Sequence, residues 1–413
     1  MNTGDTAFVL IASAMVFIMT PGLAFFYGGM VRRKNVINTM LSSFFICGLA
    51  TALWIAVGYS LSFTGDFHGI IGSLKNCFLM NINTDPNPAY SSTIPETSFV
   101  LFQMMFSLIT CAIITGSVMG RMKFSALFLF IVFWLFLVYY PLAHMVWGEG
   151  GFLKMIGSLD FAGGNVVHIS SGIAGLTACL VVGKRRGHGM LSYNPHNIPF
   201  VLLGAALLWF GWIGFNAGSA LGANELACHA FITTSTSAAV AMLSWMFIEK
   251  VRRGKVTLLG SATGAVLGLV AITPGAGFVP IWSSFLIGLF VSPICYLAIG
   301  HIKRHFQYDD TLDAFGCHGV GGIYGGIVTG LFATKTINPD IMYNGLFFGD
   351  YKLILVQIFS IIVSILLSGV MTFIILKVMS VCRPIRVSEK NEDNGLDVSE
   401  HGESAYPSFL GLD

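Results

Sequence analysis

Charge is what this sequence has least of: only 10% of its 413 residues are Asp, Glu, Lys or Arg, while 55% are hydrophobic. An ordinary soluble domain carries roughly 25% charged residues, so this chain is too poor in charge to cover a water-facing surface. Its eight cysteines contain no CxxC spacing and sit mostly inside apolar runs, where a small hydrophobe is the expected role, so neither a disulfide nor a metal is assigned to them. HExxH, GxSxG and a carboxylate dyad at membrane depth are also missing, which argues against an enzyme, and nothing in the sequence asks for a cofactor. The net charge of +2 offers no footprint for nucleic acid. The first residues, MNTGD, lack a basic region, so the long apolar stretch behind them is read as a retained first helix rather than a cleaved signal peptide.

What is abundant is apolar sequence in lengths that cross a bilayer, about 20 residues at a time. Eleven spans are predicted, at 6–31, 38–63, 98–119, 124–147, 162–182, 198–220, 226–248, 256–276, 279–300, 314–332 and 353–381. They lack the alternating pattern of membrane strands, and a helix satisfies its own backbone polar groups in lipid, so the expected fold class is an all-α polytopic membrane protein.

Lysine and arginine set the orientation, because positive residues in short loops stay on the cytoplasmic side. Alternate connections collect Arg32, Arg33, Lys34; Arg121, Lys123; Lys184, Arg185, Arg186; Lys250, Arg252, Arg253, Lys255; Lys303, Arg304; and Lys377, Arg383, Arg386, Lys390. Lys75, Lys154, Lys335 and Lys352 fall on the other side. The N terminus is therefore expected outside and the C terminus inside, which requires an odd number of spans. Two domains follow: a channel domain at 1–381 and a polar, acidic cytoplasmic tail at 382–413, whose composition alone reads as solvated chain. Residues 64–97, with Asp85, Pro86, Asn87 and Pro88, form an external excursion.

Two histidines fall inside predicted spans, where an ionisable side chain is costly unless it faces protein or a pore. Asp160 to His168 opens the fifth span, and Asp313 to His318 opens the tenth; small residues follow each. Five spans separate them, so two five-helix halves would cross the membrane in opposite senses, as in an inverted repeat with its site between the halves. Either histidine alone is as easily an interhelical hydrogen bond; the equivalent placement of both favours function. Two neutral rings sharing a proton can line an apolar passage and still offer a polar contact, but they are too few for a zinc site.

Trp212, Phe215 and Ser219 lie on one helical face, two rings below a hydroxyl. Phe102 and Phe106 form an i,i+4 pair, and Trp147 ends the fourth span. Singly, these aromatics are core; converging at an external entrance, they would attract a cation. Asp160 is read first as a helix cap, with cation recruitment as the alternative. Asp309, Asp310 and Asp313 sit where negative charge suits a helix N terminus.

These motifs carry a resemblance. The runs TPGLAFFYGG from Thr20, AHMVW ending at Trp147, DFAGG from Asp160 through His168, GFNAGS ending at Ser219, and Asp310 through FGCHG at 315–319 make the sequence similar to the ammonium transporter (Amt/MEP/Rh) family, bacterial Amt type, over nearly its whole length. The resemblance implies a homotrimer in the cell inner membrane with one pore per subunit. It implies ammonium recruitment by Phe106, Trp147 and Ser219 with Asp160 nearby, a gate of Phe106 and Phe215, pore-lining Trp212, and twin histidines His168 and His318. It also implies that the tail segment 395–406 couples subunits and meets a PII-type nitrogen signalling protein. A neutral-gas channel, a membrane enzyme using paired histidines, and an ammonium sensor are the competing readings.

Overall fold

The computed structural model describes residues 1–191 and 193–407. Its helices are α1 (Thr3–Met30), α2 (Arg33–Phe63), α3 (Glu96–Thr115), α4 (124–147), α5 (Gly164–Val182), α6 (Ile198–Gly218), α7 (Glu225–Arg253), α8 (Leu258–Ile272), α9 (Ile281–Phe306), α10 (315–332) and α11 (Lys352–Cys382). Among the described residues there is no β-strand, only isolated bridges such as Met122 with Arg386.

Nine helices among the described residues are long and apolar enough to cross a membrane. Two predicted spans are shorter as helices. α8 has 15 residues, a rise of roughly 22 Å against a hydrocarbon core of roughly 30 Å. It stops before Pro274, which lacks the N–H to continue a helix, and the Pro274 carbonyl accepts instead from Phe161 N at 3.0 Å. α10 joins a five-residue π turn to a 13-residue α-helix.

The helix ends follow from local chemistry. Asn2, Asn224 and Thr257 cap α1, α7 and α8 through their side-chain oxygens, each satisfying backbone donors that have no helical partner. α7 ends at Gly254 in the left-handed region, with Lys250, Arg252 and Arg253 in its last turn, where positive charge complements the exposed carbonyls.

Packing depends on small residues. A Cβ on Gly204 of α6 would fall into the Phe26 backbone of α1, so these two helices touch backbone to backbone. α7 packs on α8 and α9, and α5 on α11. α11 turns Leu355, Phe359, Ile362, Leu366, Val370 and Phe373 outward, an apolar stripe along its whole length that suits lipid and not water.

The tail folds back on the chain through residue 407. Asp397 accepts from the backbone N–H groups of Val36 and Asn38, both at 2.9 Å, and Leu396 N donates to Asn35 Oδ1 at 2.9 Å. His401 meets Asn38 Nδ2 at 2.9 Å, Glu400 accepts from Phe124 N at 3.0 Å, and Tyr406 OH meets His196 at 3.1 Å. Its composition suggests solvated chain, yet its carboxylates are used on free helix N termini. Residues 408–413 lie outside the described part.

Candidate functional site

The site begins with two helices that start alike. α5 opens with a π turn, Gly164–Ile169, before a 13-residue α-helix, and α10 opens with the π turn Phe315–Gly319 before a 13-residue α-helix. Such turns occur often at functional sites because they redirect side chains at a cost in helical regularity. Each turn carries one of the histidines. Each is also preceded by a carboxylate eight residues before its histidine: Asp160 for His168, and Asp310 for His318.

Asp160 is fully used as a cap. Its Oδ1 accepts from Gly163 N at 2.7 Å and Gly164 N at 2.5 Å, and its Oδ2 from Asn165 N at 2.7 Å and Val166 N at 3.3 Å. Gly163 permits this wrap with φ +111°; a Cβ there would strike Val167. Asp310 Oδ2 accepts from Phe315 N at 2.8 Å, while its Oδ1 is buried with no hydrogen-bond partner. The sequence reading set Asp313 opposite Asp160; the structure makes Asp310 the counterpart. Asp313, with φ +57°, instead pairs with Lys303 Nζ at 2.6 Å.

The two helices then cross through glycine. A Cβ on Gly172 would fall into the Gly319 backbone, and one on Gly322 would lie 3.1 Å from His168 Cβ. Each glycine is four residues beyond its own histidine and packs against the other histidine's turn. This close approach brings His168 Nδ1 within 3.2 Å of His318 Nδ1, with ring centroids 5.2 Å apart. A contact between two Nδ1 atoms holds one proton, so one ring keeps an N–H at Nε2 and the other keeps a lone pair there. His168 Nε2 is buried without a partner.

Rings stack above this pair. Trp212 lies on His168 at 5.3 Å and 22°, held by its Nε1 donating to Thr273 Oγ1 at 2.9 Å. Phe215 is 6.1 Å from His168 and stacks on Phe106 at 4.2 Å and 23°. Trp147 stands edge-on to Phe106 at 5.8 Å, and its Nε1 donates to the Asp160 carbonyl at 2.8 Å.

Cavities flank the ring stack. One of 190 Å³ is lined by Phe106, Trp147 and Ser219, with Gln103, Tyr90 and Lys154 among the others. Ser219 Oγ donates to the Phe215 carbonyl at 2.8 Å, which leaves its oxygen free to accept. On the other side a cavity of 500 Å³ reaches His318, Cys317 and Asp313. Phe215, His168 and Trp212 lie between and line neither. Asp160 is likewise outside the lining; it reaches the first cavity only through the indole it holds.

The sequence reading missed Gln103, whose Oε1 is buried, unpartnered and on the cavity wall; the signal was a lone amide in an apolar span. It also missed Thr273, which nothing in the sequence distinguishes from other helix threonines. A third omission is Arg121, with no exposed side-chain surface, which donates to the carbonyls of Gly183 at 2.6 Å and Asp309 at 2.5 Å. Asp309 in turn takes Arg185 at 2.6 Å and His188 at 3.2 Å. Burial works to raise the Asp309 carboxyl, but the Arg185 hydrogen bonds and the Arg121 and Arg185 charges outweigh it and hold it well below the usual carboxylate range.

Comparison with known proteins covers nearly the full length. The model of the Ammonium Transporter Family matches residues 7–406. An ammonium transporter of Bacillus subtilis is 48% identical over 410 residues, covering 99% of this chain and 100% of that protein. A putative ammonium transporter of Methanothermobacter thermautotrophicus is 46% identical, covering 98% and 99%. The crystal structure of Saccharomyces cerevisiae Mep2 superposes with a TM-score of 0.88 at 35% identity, covering 94% of this chain and 88% of that one.

Proposed function

The chain belongs to the ammonium transporter family, and from that premise we propose that it takes up NH4+ at the 190 Å³ aromatic cavity, removes one proton, and passes NH3 along the two histidines. The observation that carries the reading is the order of the parts: cavity, stacked Phe106 and Phe215, the His168–His318 pair, second cavity.

The chemistry follows from the cost of a bare cation in an apolar passage. In the first cavity Phe106 and Trp147 offer ring faces and edges to a cation, while Ser219 Oγ and Gln103 Oε1 offer acceptors. Asp160 contributes by position, fixing the Trp147 indole through its carbonyl. Past the Phe106–Phe215 stack the substrate is NH3; its proton returns to the outer water or crosses separately. NH3 is both donor and acceptor, so it can meet His168 Nε2 in either tautomer. In the second cavity it takes a proton from the water of that side. Potassium has no proton to give up, so a dry ring stack excludes it.

The wider assignment is eleven spans in two inverted halves of five plus a last helix, N terminus outside, C terminus in the cytoplasm, in the cell inner membrane. The lysine and arginine distribution supports it. A homotrimer, and a PII-type partner at a tail already folded against the loops after α1, α3 and α5, complete the reading.

The test is the current evoked by an ammonium pulse on reconstituted protein, with His168→Ala and His318→Ala alongside. A saturable wild-type current, reduced at least about tenfold in normally assembled variants, is expected. Unchanged current and selectivity in both variants would remove the histidines from the mechanism. Absence of current with NH3-driven pH change intact would instead mark a neutral-gas channel.

A further inference from the structure

The cavity assigned to NH4+ contains no carboxylate. Among its lining residues the one charged side chain is a cation, Lys154. Its Nζ donates to the Trp147 carbonyl at 3.1 Å and lies 5.8 Å from the Tyr90 ring centroid, and Tyr90 also lines the cavity. An alkylammonium group thus rests on an aromatic face and an acceptor oxygen at the site's edge, using the same kinds of contact that the site offers its substrate.

Resting on the recruitment reading above, we propose that Lys154 is a tethered competing cation that sets how tightly the outer cavity holds ammonium. A 190 Å³ cavity is roughly 7 Å across, so an NH4+ inside it stands within about 7 Å of Nζ. At that range like charges weaken binding about threefold in water-like surroundings, and tenfold or more where water is partly excluded. Lys154 is exposed and its four-carbon stem is flexible, so the ammonium group can swing outward when substrate enters, and the rest position is regained when it leaves. Glu149, five residues earlier, is the nearby carboxylate, yet it is absent from the cavity lining. A lysine here keeps the entrance from saturating at low ammonium and speeds release into the pore.

The experiment compares Lys154→Met, Lys154→Gln and Lys154→Arg with wild type in proteoliposomes, reading current against ammonium concentration at low and high ionic strength. Both neutral variants are expected to lower the half-saturating concentration about three- to tenfold, with Lys154→Arg close to wild type, and the gap is expected to shrink in high salt. Half-saturation that is unchanged or raised in both neutral variants would overturn the proposal while leaving the transport reading intact. A wild type that shows neither a saturable ammonium current nor a saturable ammonium-driven pH change would overturn the recruitment reading itself. Because the side chain is exposed, the neutral variants should assemble normally, and size-exclusion profiles establish that directly.

Discussion

The two histidine helices share a plan, yet their entrances are stabilised by different means. On the α5 side, Asp160 takes four backbone N–H groups, and the chain before the histidine is fixed almost wholly by hydrogen bonds to one carboxylate. On the α10 side, Asp310 takes one, and stability comes from charge: Arg121 and Arg185 around Asp309, with His188 beside them, and Lys303 on Asp313. The difference matches what each side faces. The first borders a narrow cavity with its rings already set, where a fixed backbone keeps Trp147 in place. The second opens into a cavity more than twice as large, and its neighbouring basic loop, at Arg185 and Arg186, is where the tail packs through Glu389 and Glu392.

The largest expected effect probes the charge cluster. Asp309→Asn leaves the Arg121 guanidinium buried beside a neutral group, and should cost about 3–5 kcal/mol of stability, read as a lower unfolding temperature in detergent. Because the folded Asp309 carboxyl lies below its unfolded value, its contribution is fully present above about pH 4 and is lost as pH falls further. Wild type should therefore lose its advantage over Asp309→Asn under acid; a gap independent of pH down to about 2 would assign the loss to packing instead.

The crossing comes next. Gly172→Ala pushes a methyl into the Gly319 backbone and should cost about 3 kcal/mol, whereas Gly322→Ala meets His168 Cβ at 3.1 Å and should cost about 1 kcal/mol. Equal costs would show that the two halves relax alike and that the asymmetry in contact is not energetic.

The smallest effect separates the two caps. In Asp160→Asn, the amide nitrogen must face backbone donors, and a loss of about 2 kcal/mol is expected. In Asp310→Asn, the amide nitrogen can take the place of the unpartnered Oδ1 while its oxygen keeps Phe315 N–H, so less than about 1 kcal/mol is expected. Thermal melts of the pair measure the contrast, and a costlier Asp310→Asn would reverse it.

Much of the site was legible because its residues are anomalies where they stand. His168 and His318 are conspicuous in apolar spans, and the ring stripe at 212, 215 and 219 follows from helical spacing. Asp160 was read first as a cap, and its carboxylate accepts from four backbone N–H groups. Other features were hidden for physical reasons. The Asp310 counterpart was passed over because Asp313 is nearer to His318, and only hydrogen-bond geometry tells a carboxylate that caps a helix from one that pairs with lysine. Thr273 is silent because a threonine that bonds its own helix and one that also anchors a tryptophan look the same in sequence. Lys154 was counted only as a positive residue outside.

By itself the sequence determined that this protein spans a membrane with apolar helices, which residues cap several of them, and which residues are too polar for their surroundings. Those properties come from contacts within a few residues and from the cost of leaving water, both additive along the chain. The tertiary structure decided that two histidines 150 residues apart meet at their Nδ1 atoms, which rings stack against them, and which lysine lines the outer cavity. Those depend on backbones approaching at glycines from distant spans, a long-range packing outcome that no local pattern encodes.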